Sequence, residues 1–232
     1  MIYVTGHLQD GLTTLQNLRT DDNKTLGKGD KLIVCGDCKY FYMMPLFSNT
    51  NPYDNELDCL EACFDGEIFF VPGVNDKRDM LDMYPIVNAY GGRMRKVREN
   101  FFTLENGGIY HFEEKSFFVM SGGYKPAISL SPAFSRSQQR AMPTDDELFR
   151  AVQNLENREM KVDYIVTHTA PYTLALVCEE MIFPEECRLL SILDHVFDKG
   201  SYTQWFFGRY RKDKSSLHSK VTACWDKLYR VQ

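Results

Sequence analysis

Short apolar runs rich in β-branched and aromatic residues recur along the chain, separated by loops or by stretches with helical spacing. Residues 2–5, 32–35 and 68–71 read as buried strands, each running directly into a glycine-containing loop. Between them, residues 12–18 and 56–64 carry apolar positions at the three- and four-residue spacing of helices. Residues 101–104, 109–112 and 117–120 alternate as a meander, with Asn106-Gly107-Gly108 as a hairpin turn. Thr144-Asp145-Asp146-Glu147 is a capping box, and it opens a helix over 147–155 with Leu148, Val152 and Leu155 on one face. Residues 164–167 form another strand, 184–198 another helix and 204–207 a further strand. A closing pair over 221–225 and 228–231 is expected to complete the second sheet. This alternation of strand and helix predicts an α/β sandwich.

The 232 residues contain no Pro/Ser/Gly-rich linker and no internal repeat, so one domain over residues 1–232 is the expectation. A net charge of −5 with acidic and basic residues interspersed excludes a broad nucleic-acid-binding face. Met1-Ile2-Tyr3-Val4-Thr5-Gly6 lacks the basic start and long apolar stretch of a signal peptide, and no apolar run is long enough to span a membrane. The expected location is cytoplasmic, without membrane association, and seven scattered cysteines suit a reducing compartment. Cys35-x-x-Cys38 and Cys59-x-x-x-Cys63 lack the second CxxC of a zinc site and read as core cysteines.

Candidate chemistry gathers at the carboxyl ends of the strands, where α/β folds place their ligands. Five such ends matter: Gly6-His7-Leu8-Gln9, Gly36-Asp37-Cys38-Lys39-Tyr40, Gly73-Val74-Asn75-Asp76, Thr167-His168-Thr169-Ala170-Pro171 and Gly208-Arg209-Tyr210-Arg211. In order and spacing they resemble the calcineurin-like metallophosphoesterase family, whose motifs run Asp-x-His, Gly-Asp, Gly-Asn-His-(Asp/Glu), a lone His and Gly-His-x-His. The resemblance covers nearly the whole chain. It implies a four-layer α/β/β/α sandwich of two mixed sheets, with the motif loops converging at one edge.

The resemblance also implies two metal ions bridged by one Asp and a water. By position, Asp37 matches the bridging Asp, His168 the lone His and Asp76 the non-ligating acidic end of the third motif. The departures are extensive. His7 stands for Asp, Gln9 for His, Val74 for the ligand Asn, Asn75 for the catalytic His, and Arg209 and Arg211 for the closing His pair; a one-residue slip returns Asn75 to the ligand position, with the catalytic His still missing. Guanidinium stays protonated and has no free lone pair, so it cannot replace a metal-binding imidazole. Metal ions lower the pKa of bound water from about 15.7 to about 7, roughly 12 kcal/mol in hydroxide availability at neutral pH. A positioned general base contributes only about 3–5 kcal/mol.

No cofactor is therefore expected, and no catalytic residue is assigned to the degenerate positions His7, Gln9 and Asn75. Asp37, Lys39, Asn75, His168, Arg209 and Arg211 are the candidate ligand-binding set, since Arg offers bidentate donors to phosphate oxygens. Three readings stay open. One is a metal-free binder of a phosphate-bearing small molecule; another is a module that docks a protein partner. The third is an active metal-dependent phosphoesterase using one or two Mn, Fe or Zn ions, for which His7, Asp37 and His168 are the residual ligands. The basic run 91–98 reads as a strand edge or hairpin, and Tyr40-Phe41-Tyr42-Met43-Met44 as a pocket roof, partner surface or core segment.

Overall fold

The computed structural model describes residues 1–43, 50–126, 141–178 and 181–232, with the side chains of 215–218 outside that description. Met44 lies outside it as well. The elements follow in chain order. First come β1 (Ile2–Thr5), α1 (Leu12–Asn17), β2 (Lys31–Val34), a 3-10 turn (Lys39–Phe41), α2 (Asp54–Cys63), β3 (Glu67–Phe70) and α3 (Arg78–Leu81). Then come β4 (Ile86–Ala89), β5 (Gly92–Arg98), β6 (Phe101–Leu104), β7 (Ile109–Phe112), β8 (Lys115–Met120), α4 (Asp145–Glu156) and β9 (Tyr164–Thr167). Last are α5 (Tyr172–Val177), a 3-10 turn (Pro184–Glu186), α6 (Cys187–Lys199), β10 (Gln204–Phe207), β11 (Lys214–His218), β12 (Val221–Ala223) and β13 (Tyr229–Arg230).

Two mixed sheets result, ordered β13-β1-β2-β3-β6-β5-β4 and β11-β12-β10-β9-β8-β7. Residue parity assigns every side chain to a layer, because successive strand residues face opposite sides. Ile2, Val4, Ile33, Cys35, Phe69 and Val71 point into the space between the sheets, where they meet Phe117, Val119, Val166 and Phe206. Their neighbours Tyr3, Leu32, Val34, Ile68 and Phe70 face outward onto α1 and α2. On the other sheet Phe118, Met120, Ile165, Trp205 and Phe207 face α4, α5 and α6. These three apolar layers make the four-layer α/β/β/α sandwich.

Three sequence expectations need correction. The run 101–120 is no single meander: β6 pairs with β3 and β5 in the first sheet, while β7 and β8 form a hairpin in the second. The chain changes sheets at Asn106-Gly107-Gly108, a switch invisible to hydrophobic pattern because both sheets bury the same residue types. The closing pair also splits, for β12 joins β10 in the second sheet and β13 joins β1 in the first. Cys35 and Cys38 are core residues as expected, whereas Cys59 and Cys63 lie exposed on α2. The basic run is the β4–β5 hairpin, and three of its four cations are paired: Arg95 with Asp82 and Glu105, Lys96 with Glu99, and Arg98 with Asp54 and Asp58. Tyr40 and Phe41 are fully buried in the core under α2. Among the described residues no helix is long and apolar enough to cross a membrane.

One ion pair ties the third-motif loop to the second sheet's helices. Arg78, opening α3, reaches Glu147 of the α4 capping box, with Nη1 donating to Oε2 at 3.1 Å and a second bond from Nη2 to Oε1. Burial raises the Glu147 carboxyl, but the Arg78 charge and the Thr144 donors outweigh it and hold the group below the usual glutamate range. A depressed folded value means that this stabilisation is present above the unfolded value of about 4.3 and is lost as pH falls through the folded value. Thermal melts between pH 7 and pH 3 should thus fall less steeply for Glu147→Gln than for the wild type. Parallel curves would show that the pair does not contribute.

Candidate functional site

β1, β2 and β3 run parallel in one sheet, and β9 and β10 run parallel in the other. Their carboxyl ends bring the five motif loops together. Gly36 and Gly73 make the closeness possible. A Cβ on Gly36, which has φ +128°, would lie 2.0 Å from Nδ1 of His168. A Cβ on Gly73 would lie 2.5 Å from Oδ1 of Asp37 and 2.6 Å from Cε1 of His168. Only glycine fits either position, so Asp37, the third-motif loop and His168 share one wall.

The donor atoms on that wall are already engaged. The Asp37 carboxylate accepts from the Asn75 backbone N–H at 3.1 Å and from its Nδ2 at 2.9 Å, using both oxygens. His168 is 1% exposed. Its Nδ1 donates to the Cys35 carbonyl at 2.8 Å, which leaves Nε2 as acceptor for the Val74 N–H at 3.2 Å. Burial pulls the His168 imidazole below its usual range, against the Asp37 carboxylate and with the help of Arg209, so the ring favours its neutral form. His7 accepts the Gln9 N–H on Nδ1 at 3.1 Å and faces Oδ1 of Asp226 with Nε2 at 3.0 Å. Among the described residues no three His, Cys, Asp or Glu side chains converge as a metal site requires.

Asp76 lies underneath, 3% exposed, and organises two loops at once. Its carboxyl accepts the backbone N–H groups of Asp37 at 3.0 Å, Cys38 at 2.9 Å and Gly73 at 2.6 Å. Burial and the nearby Asp37 charge push this carboxyl above the usual aspartate range, while the three donors pull the other way.

The cations divide sharply. Arg209 turns inward: Nη1 donates to Oε2 of Glu186 at 2.7 Å and Nη2 to the Tyr124 carbonyl at 2.7 Å. Glu186 is 1% exposed and also accepts the Tyr124 N–H at 3.0 Å. Arg209 therefore acts as an internal clamp on the Tyr124 loop. Lys39, expected at the pocket, turns the other way and pairs with Glu56 of α2 at 2.6 Å, above the rings of Tyr40 and Tyr53. Lys125 takes its place, with Nζ donating to Oδ1 of Asn75 at 3.0 Å. Arg211 is exposed, and its guanidinium lies 5.7 Å from the Trp225 ring centre.

Asp37, Val74, Asn75, Tyr124, Lys125, Pro126, Met181, Phe183, Arg209 and Arg211 line an open cavity of about 470 Å³. Three cations face one carboxylate there, and one wall is apolar and aromatic. Asp37, Arg209 and Arg211 all hold left-handed backbone, with φ of +53°, +68° and +49°. Such conformations cost about 1 kcal/mol or more for residues other than glycine and cluster at functional sites. Sequence reasoning missed Glu186, Lys125 and Trp225. Each acts across a loop-to-loop contact that no local motif encodes.

The family model described as calcineurin-like phosphoesterase matches residues 2–210. No curated protein matches the chain. Among solved structures, the phosphopantetheinyl hydrolase from Mycobacterium tuberculosis is similar at 14% identity, over 96% of this chain and 86% of that one, with a TM-score of 0.42.

Proposed function

We propose, from the premise that this chain belongs to the calcineurin-like phosphoesterase family, that it has lost metal-dependent hydrolysis and binds a small phosphate-bearing ligand without metal. The engaged donor set is the observation that carries this reading. Both nitrogens of His7, both nitrogens of His168 and both oxygens of Asp37 already hold partners within the chain. The remaining family positions are Gln9, Val74, Arg209 and Arg211, none of which supplies an anionic or imidazole ligand. These residues do not fit a two-metal centre.

Anion binding is supported by the cavity itself. Lys125 and Arg211 are exposed at its rim, while Arg209 keeps its charge within the lining even though Glu186 holds it. The Asp37 carboxylate is masked from a ligand by the Asn75 amide and N–H. Guanidinium and ammonium groups at a cavity mouth favour phosphate oxygens through charge-assisted hydrogen bonds.

Calorimetric titration with inorganic phosphate and with a phosphomonoester tests the reading. Arg211→Ala and Lys125→Ala should each weaken binding about tenfold, the worth of one charge-assisted contact. Manganese-supplemented turnover of an activated diester should not exceed that of the Asp37→Ala/His168→Ala variant. Turnover that vanishes in that variant would restore the hydrolase reading. A protein-docking role is the second reading, favoured by α5, which leaves Leu176 53% and Val177 54% exposed. It predicts a chain unresponsive to phosphate.

A further inference from the structure

Arg211 lines the cavity, yet among the described residues its side chain has a ring rather than a carboxylate for a partner. That ring, Trp225, belongs to the turn between β12 and β13. It also meets the His7 ring, with centroids 4.0 Å apart and planes tilted by 45°. His7 is 5% exposed and is fixed at both nitrogens by Gln9 and Asp226. The Trp225 backbone is equally constrained. Its N–H donates to Oδ1 of Asp213 at 2.7 Å, and its carbonyl accepts the Gly6 N–H at 3.1 Å. Asp213 lies two residues beyond Arg211 and also accepts the Asp226 N–H at 3.0 Å, so one carboxylate joins the Arg211 loop to the Trp225 turn.

We propose that Trp225 is the positioning residue of the phosphate pocket: its indole holds the Arg211 guanidinium at the cavity mouth, backed by the immobilised His7 ring. This rests on the phosphate-binding reading above. An unsupported arginine at an exposed site loses side-chain freedom when it captures an anion, and that cost weakens binding. A guanidinium already resting on an indole has lost part of this freedom beforehand, and the ring face favours its charge without consuming its N–H donors. The donors stay available to phosphate oxygens. The arrangement also explains a difference between the two arginines that sequence cannot reveal: Arg209 spends its donors on Glu186 and Tyr124, whereas Arg211 rests on a surface that accepts none.

The test is a double-mutant cycle on phosphate affinity, measured by calorimetry with inorganic phosphate as the probe. Trp225→Ala should weaken phosphate about tenfold, within the range of a cation–ring contact, and Trp225→Phe should recover most of the loss. In an Arg211→Ala background, Trp225→Ala should cost nothing further. Additive losses would mean that the indole acts independently of Arg211, and unchanged affinity in Trp225→Ala would remove it from the pocket; either overturns the proposal.

Indole emission supplies a measurement that needs neither ligand nor Trp225→Ala. Trp205 and Trp225 are the two tryptophans, and Trp205 is fully buried in the core beneath α6. Arg211→Ala should shift the emission of the protein, and Trp225→Phe should abolish that shift. Emission indifferent to Arg211 would show that the contact is not made in solution. If phosphate fails to bind the wild type while the emission shift is present, the phosphate reading falls and the stack stands. If phosphate binds and weakens in Arg211→Ala with no response to Trp225, the reading stands and the positioning role falls.

Discussion

Asp76→Ala should lower the unfolding free energy by at least about 3 kcal/mol, because it strands three buried N–H donors that each cost about 1–3 kcal/mol when unpaired. The donors belong to Asp37, Cys38 and Gly73, on the second- and third-motif loops. Asp76→Asn should be intermediate. Oδ2 serves two of the N–H groups and Oδ1 the third, so a single amide oxygen can keep the pair while its NH2 opposes the Cys38 N–H. Urea unfolding followed by circular dichroism measures both. A loss under about 1 kcal/mol for the alanine variant would mean that water replaces the carboxylate at little cost, contrary to its burial. Phosphate affinity should fall along with stability, because Asp37 and Asn75 are held in place through these loops.

The second large effect concerns the inward-facing ion pair. Glu186→Ala takes one buried carboxylate away from the Arg209 guanidinium in a site only 11% exposed, and the Tyr124 N–H loses its acceptor as well. Removing one partner of a buried pair costs about 3–5 kcal/mol. Glu186→Gln keeps an oxygen for the Tyr124 N–H and should cost less. The same variant releases Arg209 from its carboxylate inside the cavity lining, so phosphate should bind more tightly to Glu186→Gln than to the wild type. Equal stability of all three proteins, or unchanged phosphate affinity in the glutamine variant, would mean that Arg209 already faces solvent.

These two effects show where legibility from sequence ended. The strand ends were readable because each buried run, such as Ile2–Thr5 or Tyr164–Thr167, stops at a polar or glycine residue. The order of those ends identified the family, and the fold followed from it. Asp37, Asn75 and His168 do meet on one wall. Side-chain partners were not readable. Lys39 follows Asp37 by two residues, but the 3-10 turn at Lys39–Phe41 carries it toward α2 and Glu56. Glu186 reaches Arg209 across 23 positions of chain, and nothing in the run Pro184-Glu185-Glu186 distinguishes the buried acid from its neighbour. Sheet membership was equally hidden for β6 and β13, since alternation tells which face of a strand is buried but not which sheet the strand joins.

The pairing of β13 with β1 sets Tyr3 opposite Arg230 and Val4 opposite Tyr229. Until Tyr229 and Arg230 are in place, β1 keeps one flank unpaired, an open seam that other chains can stitch onto. Closing that seam is a long-range event, so removal of residues 229–232 should yield aggregates rather than a slightly weakened monomer.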